Sequence, residues 1–497
     1  MLLENVNQNA LVIMLIVLAS AGAALLAYLI IGRDMAPVLW GVILIGVFLL
    51  CFFSVKMSLV ILILSMLLSP EVAVGSTVRR EITIRMEDLL LFVMTLGWLF
   101  RIAIIKDIGL MLKTPINRPI IAYSAIMMLS TIYNGLLGGI SLLAGFFFAL
   151  KIIEYFFVFY IVVNYVDTKE EINRLLTMML VVGFIICLYG LYQVATGGIV
   201  AAPFEGGNAE YNTLGGYLVL IGSVAGGIFL HTDSRKERFA LAVMIVLLAI
   251  LLMFSRSRGS WVACIPALLA LFLSAKRRRY YFIFVIIFIG MIPFFLPETV
   301  RDRALYTVSQ HSYNEPQVSF FGLRLDTSTS ARLFSYKVAL EYLYKHPVIG
   351  YGMTGFAFLD GQFFRTLVET GIIGLAAFIW MLSRVHTMIR QSIANLPGGR
   401  LQGMAIGLLA GFWGMMGHAL SANTFIIVRI SEPFWCLVGL TVVCLYAHNE
   451  DAAAVPESEW SSVQKKRLMP AAVPRHAKGA VSHVSLSGPA IGPSRTG

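Results

Sequence analysis

Apolar runs of about 20 residues recur along most of this chain, and they constrain its fold more than any other feature of the sequence. A helix needs roughly 20 apolar residues to cross the hydrocarbon core of a bilayer. Backbone polar groups cannot stay unpaired in hydrocarbon, so each of these runs must be helical. The hydrophobic content of 58% far exceeds that of ordinary soluble proteins. We therefore predict an all-α polytopic membrane protein.

The predicted transmembrane domain covers residues 1–447 and contains about 12 to 14 helices, the range being open because the third run is short. The candidate spans are 9–31, 37–54, 57–69, 87–105, 118–135, 141–164, 173–196, 211–231, 239–254, 260–275, 280–296, 366–387, 402–422 and 428–446. Residues 448–497 are rich in Ala, Pro, Ser and Gly, which predicts a disordered cytoplasmic tail.

Lysine and arginine in the short loops fall on one side of the predicted membrane, and the positive-inside rule makes that side cytoplasmic. Both termini are then cytoplasmic, and two long loops, 70–86 and 297–365, lie on the far side. The net charge of +11 is explained by these basic loops and by anionic lipid, so no nucleic-acid partner is predicted. The basic residues concerned are Lys56, Arg101, Lys106, Lys113, Arg235, Lys236, Arg238, Lys276, Arg277, Arg278, Arg279, Arg384, Arg390 and Arg400.

All the cysteines lie within predicted spans, and neither a CxxC pair nor a Cys/His metal spacing occurs. The sequence therefore predicts neither a disulfide nor a zinc site. The cysteines are Cys51, Cys187, Cys264, Cys436 and Cys444.

Two arginines stand in a tight far-side turn, FSRSRGSW, where the positive-inside pattern does not expect them. Arg256 and Arg258 are two residues apart, and Gly259 would permit an unusual backbone angle there. They either anchor the membrane interface or bind an anion, because a planar guanidinium holds phosphate oxygens in bidentate fashion.

The second far-side loop contains TSTSARLFSYKVALEYL, which predicts an amphipathic helix lying on the membrane. Ser330 is its predicted N-cap, so that Arg332 would lie in the first turn, where the helix dipole disfavours a cation. Arg332 would then bind an anion there or form a salt bridge to a loop carboxylate such as Asp326. The apolar positions at helical spacing are Leu333, Tyr336, Leu340 and Leu343.

Polar residues also precede and begin the span 366–387. Asp360 is a candidate N-cap, and Arg365 with Glu369 has the four-residue spacing of an ion pair within a helix. Gln362 is a further candidate for substrate binding. Two glycines in this span, Gly371 and Gly374, are expected to allow close helix packing.

Several charged residues lie within the predicted spans themselves. Lys151 and Glu154 are three residues apart, so they share one helix face as a functional site or as a mutually neutralising pair. His418, Arg429 and Glu432 lie near the last far-side turn, where a structural role is expected for each.

The order of these motifs resembles that of the O-antigen ligase and O-antigen polymerase family of bacterial membrane glycosyltransferases, over residues 140–445. The shared pieces are NYVDTKEEINRLL, LYGLYQVATGG, NTLGGYL, SRSRG, SARLFSYKVALEYLYKHPVIGYGMTGF and LVETGIIGL. The resemblance implies an inner-membrane fold similar to that of glycosyltransferases that use polyprenyl-linked sugars, with the active site on the periplasmic face.

The resemblance further implies metal-independent transfer, without a cofactor, of a glycan from a polyprenyl diphosphate to an acceptor hydroxyl. By motif position, Arg258 and Arg332 would hold the diphosphate leaving group, with Arg256, Arg365, Gln362, Lys151 and Glu154 as further substrate contacts. The implied partners are a polyprenyl-diphosphate-linked oligosaccharide and membrane lipid, with a flippase and a chain-length regulator in the same pathway.

The sequence departs from the family pattern where many ligases carry a His-Asn pair, because Asp360 stands at the histidine position. An aspartate could accept the acceptor's proton, although a capping carboxylate is favoured in its charged form, contrary to the tuning of a general base. We therefore expect a polymerase of O-antigen or exopolysaccharide units. The alternatives are a ligase acting on the lipid A core of lipopolysaccharide, a small-anion transporter and a non-catalytic partner of an envelope assembly.

Overall fold

The computed structural model describes ten stretches of the chain and the single positions Gly46, Asp88 and Gly497. The predicted spans 9–31 and 280–296, the span 37–54 apart from Gly46, and most of the predicted tail lie outside the described residues. The described stretches are 55–68, 71–76, 81–85, 90–97, 114–197, 200–203, 211–274, 317–320, 323–356 and 359–452.

The described part of the chain is predominantly helical, as predicted. Its helices are α1 (Val55–Leu68), α2 (Asn117–Leu136), α3 (Leu142–Tyr165), α4 (Lys169–Ala195), α5 (Tyr211–His231), α6 (Arg235–Phe254), α7 (Arg258–Ser274), α8 (Thr327–Leu343), α9 (Gln362–Asn395), α10 (Gly399–His418) and α11 (Val428–Ala452). The strand pairs β1–β2 (Glu71–Ser76 and Glu81–Arg85) and β3–β4 (Ser319–Phe320 and Leu323–Arg324) are antiparallel and lie within the predicted far-side loops.

Seven of the described helices are long and apolar enough to cross a membrane. The chain is thus an all-α polytopic membrane protein with two small strand pairs outside the predicted spans. The seven are α2, α3, α4, α5, α6, α9 and the Val428–Tyr446 part of α11, and α1 and α7 are shorter apolar helices.

Basic residues of the predicted cytoplasmic loops meet at one end of the helix bundle. Lys56 Nζ lies 2.6 Å from Glu171 Oε1 in the first turn of α4. Arg400 Nε lies 3.0 Å from Glu237 Oε1 in the first turn of α6. Because α6 and α10 both begin at this end, the residues that follow α6 and α10 lie at the other end of the bundle.

Glycines bring α5 and α10 into close backbone contact at the centre of the bundle. A Cβ atom on Gly227 would lie 2.3 Å from the carbonyl oxygen of Gly403, and one on Gly407 would lie 2.5 Å from the Cα of Val224. Small residues allow this approach because no side chain separates the two backbones. The packing fixes the ends of α5 and α10 relative to one another.

Helix α9 is broken at Gly371, whose φ is +70°. Residues 347–352 fill the break, because Tyr351 N donates to Val368 O at 2.9 Å and Ile372 N donates to Pro347 O at 2.9 Å. A Cβ on Gly371 would lie 2.1 Å from Val348 O. The expectation that Gly371 serves helix packing is therefore wrong, since this glycine admits the returning loop instead.

The second predicted packing glycine, Gly374, has its closest neighbour within α9 itself. A Cβ there would lie 1.9 Å from Thr370 Oγ1, one turn earlier in the same helix. The contact reflects the break just before it rather than an approach by another helix.

Candidate active site

Arg258 is the first residue of α7, and a cluster of small polar side chains surrounds its backbone. Ser257 Oγ lies 2.7 Å from Asn212 Oδ1 at the start of α5 and 2.8 Å from Ser260 Oγ. Both serines are buried. These hydrogen bonds join the NTLGGYL and SRSRG motifs, which are distant in sequence. They therefore fix the backbone position from which the Arg258 side chain extends.

The unusual backbone angle in this turn belongs to Arg256 and not to Gly259. Arg256 has a φ of +54°, in the left-handed region that costs a non-glycine residue about 1–2 kcal/mol. Gly259 lies within α7, and a Cβ there would be 2.3 Å from Ser421 Oγ. The glycine thus permits close contact with the chain that follows α10.

Arg258 forms an ion pair with Asp326, the residue that precedes α8. The distance between Arg258 Nη2 and Asp326 Oδ2 is 2.7 Å, and the aspartate side chain is fully buried. Burial raises the pKa of Asp326, but the hydrogen bond and charge of Arg258 together with hydrogen bonds from Thr329 lower it by more, so the net shift is downward. Asp326 is therefore a buried anion that holds Arg258 in place.

The predicted N-cap of α8 at Ser330 is wrong, because the helix begins one turn earlier with Asp326 as its N-cap. Ser330 Oγ instead accepts a hydrogen bond from Val318 N at 3.0 Å, beside the β3–β4 pair. Arg332 consequently lies in the second turn of α8, where the helix dipole acts weakly. Its predicted salt bridge to Asp326 is also wrong, since Asp326 pairs with Arg258.

Arg332 pairs with Asp360, which lies two residues before the start of α9. Arg332 Nε lies 3.3 Å from Asp360 Oδ2, and the two side chains are 27% and 28% exposed. The candidate N-cap role of Asp360 is wrong, because Gly361, with a φ of +102°, is the N-cap of α9. One arginine predicted to hold the leaving group and the candidate base are thus in direct contact.

Tyr336 connects α8 to the start of α9. Its ring stacks on Phe364 with centroids 4.2 Å apart, and its hydroxyl donates to Leu420 O at 2.8 Å. A Cβ on Gly361 would lie 2.6 Å from this hydroxyl. In the predicted apolar stripe Tyr336 therefore faces the protein, whereas Leu333 and Leu340 are exposed.

The turn after α10 is hydrogen-bonded to the residues on either side of Asp360. Gln362 N donates to Ala419 O at 2.9 Å, and the Gln362 side chain accepts from Phe425 N at 3.1 Å. Asn423 Nδ2 donates to Leu359 O at 2.9 Å. Gln362 is buried and these bonds hold the backbone beside Asp360, so its geometry is that of a support for the site.

Four arginines predicted for the site differ in their partners. Arg258, Arg332 and Arg365 each contact a carboxylate, the last through Arg365 Nε and Glu369 Oε2 at 3.4 Å within α9. The Arg365–Glu369 ion pair was predicted from its four-residue spacing, and in the structure both side chains are buried. Arg256 is exposed, and no side-chain hydrogen bond or ion pair joins it to the described residues.

The arrangement presents two guanidinium groups and one carboxylate at the end of the bundle opposite the basic loops. Asp326 and Arg332 are six residues apart on or beside α8, which corresponds to about 9 Å along a helix. Guanidinium groups bind phosphate oxygens, and a carboxylate beside one of them can accept a proton. The chemistry that this geometry fits is the departure of a phosphorylated leaving group.

Residues 242–379 match the family model described as O-antigen ligase. The segment is similar to this family, and we refer to it as the O-antigen ligase domain. It contains most of α6, all of α7 and α8, the far-side loop and the first half of α9, and with them both ion pairs of the site. No curated protein matches the chain.

The O-antigen ligase domain confirms the family resemblance that the motif order indicated, and it supports a membrane glycan ligase or polymerase type of function. Within the described residues, no group of three or more His, Cys, Asp or Glu side chains could hold a metal ion.

Lys151 and Glu154 lie on α3, outside the O-antigen ligase domain. Lys151 Nζ forms an ion pair with Asp88 Oδ2 at 2.9 Å, which the sequence analysis did not anticipate. The structure does not bring Lys151 into contact with Arg258, Arg332 or Asp360. Its predicted role as a substrate contact is therefore separate from the arginine site.

His418 and Arg429 make contacts within the protein near the last turn. His418 Nδ1 lies 2.8 Å from Thr424 Oγ1, and Arg429 Nη1 donates to Pro203 O at 2.6 Å. Both residues are fully buried, as is Glu432. Their positions fit the structural role expected from the sequence.

Sequence reasoning missed the supporting residues of the O-antigen ligase domain. Asn212 lies in the quoted NTLGGYL motif, and Asn423 follows α10, yet neither carries a local signal of its partner. Asp326 was considered, but as the partner of Arg332. The available signal was the fixed order of the motifs, which indicated that they meet without indicating which side chains pair.

Proposed function

We propose that this protein is a membrane glycosyltransferase that polymerises polyprenyl-diphosphate-linked oligosaccharide repeat units of O-antigen or exopolysaccharide. The observation that carries the proposal is that two arginine–carboxylate pairs, Arg258–Asp326 and Arg332–Asp360, lie along the first two turns of α8 within the O-antigen ligase domain. The reaction takes place at the periplasmic face of the inner membrane, opposite the basic loops. Flipped lipid-linked repeat units are the substrate, which requires a flippase, and product length requires a chain-length regulator.

In the proposed reaction an acceptor hydroxyl attacks the anomeric carbon of the donor. The new C–O bond forms as the bond from that carbon to the diphosphate oxygen breaks, and the polyprenyl diphosphate leaves with the electron pair. Arg258 and Arg332 stabilise the charge that develops on the diphosphate. Asp360 accepts the hydroxyl proton. No step needs a metal ion or cofactor, because the guanidinium groups supply the positive charge.

A ligase is the second candidate, and the description of the matching family favours it. Ligation and polymerisation share the donor and the leaving group and differ only in the acceptor. Asp360 at the position where many ligases carry histidine favours polymerisation.

The test is to incubate the purified protein with a polyprenyl-diphosphate oligosaccharide, with and without lipid A core, and to separate the products by size. A ladder of repeats supports polymerisation, and a single transfer to lipid A core supports ligation. Arg258→Ala should reduce transfer by about 100-fold, whereas Arg384→Ala, at an exposed position of α9, serves as the matched control. Neither product from the wild-type protein would contradict both functions.

The Lys151–Asp88 ion pair gives the transporter alternative its own test. Anion uptake into proteoliposomes that is abolished by Lys151→Ala and unchanged by Arg258→Ala would contradict the glycosyltransferase proposal. Charged residues inside membrane spans commonly mark transport pathways. The enzyme proposal predicts no such uptake, because its cations gather at one end of the bundle.

A further inference from the structure

The two ion pairs of the site differ in a way that suggests different roles for their arginines. The Arg258–Asp326 pair is short, at 2.7 Å, and its aspartate is fully buried. The Arg332–Asp360 pair is longer, at 3.3 Å, and each of its side chains is more than a quarter exposed. Separating a buried pair leaves a costly uncompensated charge, whereas a partly exposed pair is screened by solvent and contributes little to stability.

The surrounding contacts strengthen this contrast. Asp326 immediately precedes α8, and Arg258 is the first residue of α7, beside the buried Ser257 and Ser260. The backbone of each partner in the first pair is therefore fixed at the start of a helix. The backbone on either side of Asp360 is held by hydrogen bonds of Leu359 and Gln362, so only the Asp360 side chain has to rotate. Arg332 projects from the middle of α8 on a long, flexible side chain. The second pair can therefore separate without disturbing a helix end.

We propose that Asp360 occupies the place of a phosphate group on Arg332 and is displaced by the diphosphate of the donor, while Asp326 stays on Arg258 throughout. This inference rests on the proposed function and adds a sequence of events to it, in which the donor binds before Asp360 leaves Arg332. In the free protein, Arg332 donates to Asp360 Oδ2, which is one of the two oxygens available to accept a proton. The exchange releases that oxygen, so both carboxylate oxygens can accept a proton only when a donor is bound.

The exchange is a matter of charge balance. A diphosphate carries more negative charge and more acceptor oxygens than a carboxylate, so it competes effectively for a guanidinium group. Arg256, exposed and unpaired among the described residues, can contact the incoming anion before Arg332 changes partner. An acceptor sugar then meets a free carboxylate only beside a bound leaving group, which disfavours proton abstraction in the absence of a donor.

The test measures the affinity of a short-chain polyprenyl diphosphate without sugar for the detergent-purified full chain. Asp360→Asn should bind this probe about three- to tenfold more tightly than the wild-type protein, because it removes the competing anion from Arg332. Asp326→Asn should bind no more tightly, because Asp326 positions Arg258 and does not compete. In an Arg332→Ala background, the gain from Asp360→Asn should disappear.

Three results would overturn the exchange: an Asp360→Asn affinity no greater than that of the wild type, an equal gain from Asp326→Asn, or a gain that persists without Arg332. The last two would indicate general charge repulsion. Should Asp360→Asn fail to fold, Asp360→Ser removes the same charge and is judged by the same results. A wild-type protein that does not bind the probe, or binding unaffected by Arg258→Ala and Arg332→Ala, would contradict the proposed function itself.

Discussion

At the scale of single residues, the site depends on which carboxylate each arginine contacts. Arg258 and Asp326 are separated by 68 residues in sequence, and Arg332 and Asp360 by 28. The sequence motifs identified the arginines as candidate site residues, but the salt bridge given as one alternative for Arg332 named the wrong aspartate. Such partners are determined by the packing of distant segments and not by helical periodicity. The Arg365–Glu369 pair was predicted correctly, since a four-residue spacing determines its geometry.

Replacing Arg258 by lysine tests whether its planar group is needed. Arg258→Lys keeps the positive charge but cannot contact Asp326 and a phosphate group through separate guanidinium nitrogens. We expect transfer to fall by roughly 10- to 100-fold, the loss of one charge-assisted hydrogen bond, with the fold unchanged. Arg384→Lys is the control. Steady-state transfer assays measure the effect, and wild-type rates in Arg258→Lys would show that only charge matters.

The lowered pKa of Asp326 predicts that the start of α8 is sensitive to acid. Burial raises this pKa, and Arg258 and Thr329 together lower it by more, so the folded value lies below the ordinary value of 3.8. The ion pair therefore contributes its full stability above the unfolded pKa and loses it as the pH falls through the folded pKa.

Hydrogen exchange of the amides in residues 327–336 measures this loss. Protection, corrected for the intrinsic exchange rate, should be constant above pH 5 and should decline once the pH falls below about 4. Asp326→Asn should show reduced protection at neutral pH and little further change in acid. A wild-type profile in that variant would mean that the ion pair does not anchor the helix.

At the scale of the elements, helix bounds were the most predictable feature. The span 211–231 coincides with α5, and the span 118–135 lies one residue inside each end of α2, because apolar length fixes both. The break in α9 was not predictable. It exists because residues 347–352 form backbone hydrogen bonds with α9. The hydropathy of a span does not indicate which loop will contact it.

Substituting Gly371 tests whether the break is required. Gly371→Ala places a Cβ 2.1 Å from Val348 O and also strains a left-handed backbone, so it should lower the free energy of unfolding by more than about 2 kcal/mol. Gly138→Ala is a matched control, because Gly138 has a φ of +75° and open space around it. It should cost only about 1–2 kcal/mol. Equal melting temperatures for the two variants would contradict the role of the returning loop.

At the scale of the whole molecule, charge is divided between the two ends of the bundle. Lys56 and Arg400 meet acidic partners at one end, whereas Arg258 and Arg332 stand at the other. The positive-inside pattern predicted this division from loops alone, since each span reverses the chain direction. Which side chains complete the site could not be predicted, because Asn212 and Asn423 act through contacts between distant segments.

The most direct test of the central claim is to locate the donor on the protein. A photoactivatable polyprenyl diphosphate carrying an oligosaccharide would be crosslinked to the full chain and the labelled peptides mapped by mass spectrometry. The account predicts labelling in residues 256–261, 327–336 and 359–362, reduced by the Arg258→Ala and Arg332→Ala double variant. Labelling beside Lys56 and Arg400, or around Lys151, and unaffected by that variant, would contradict it.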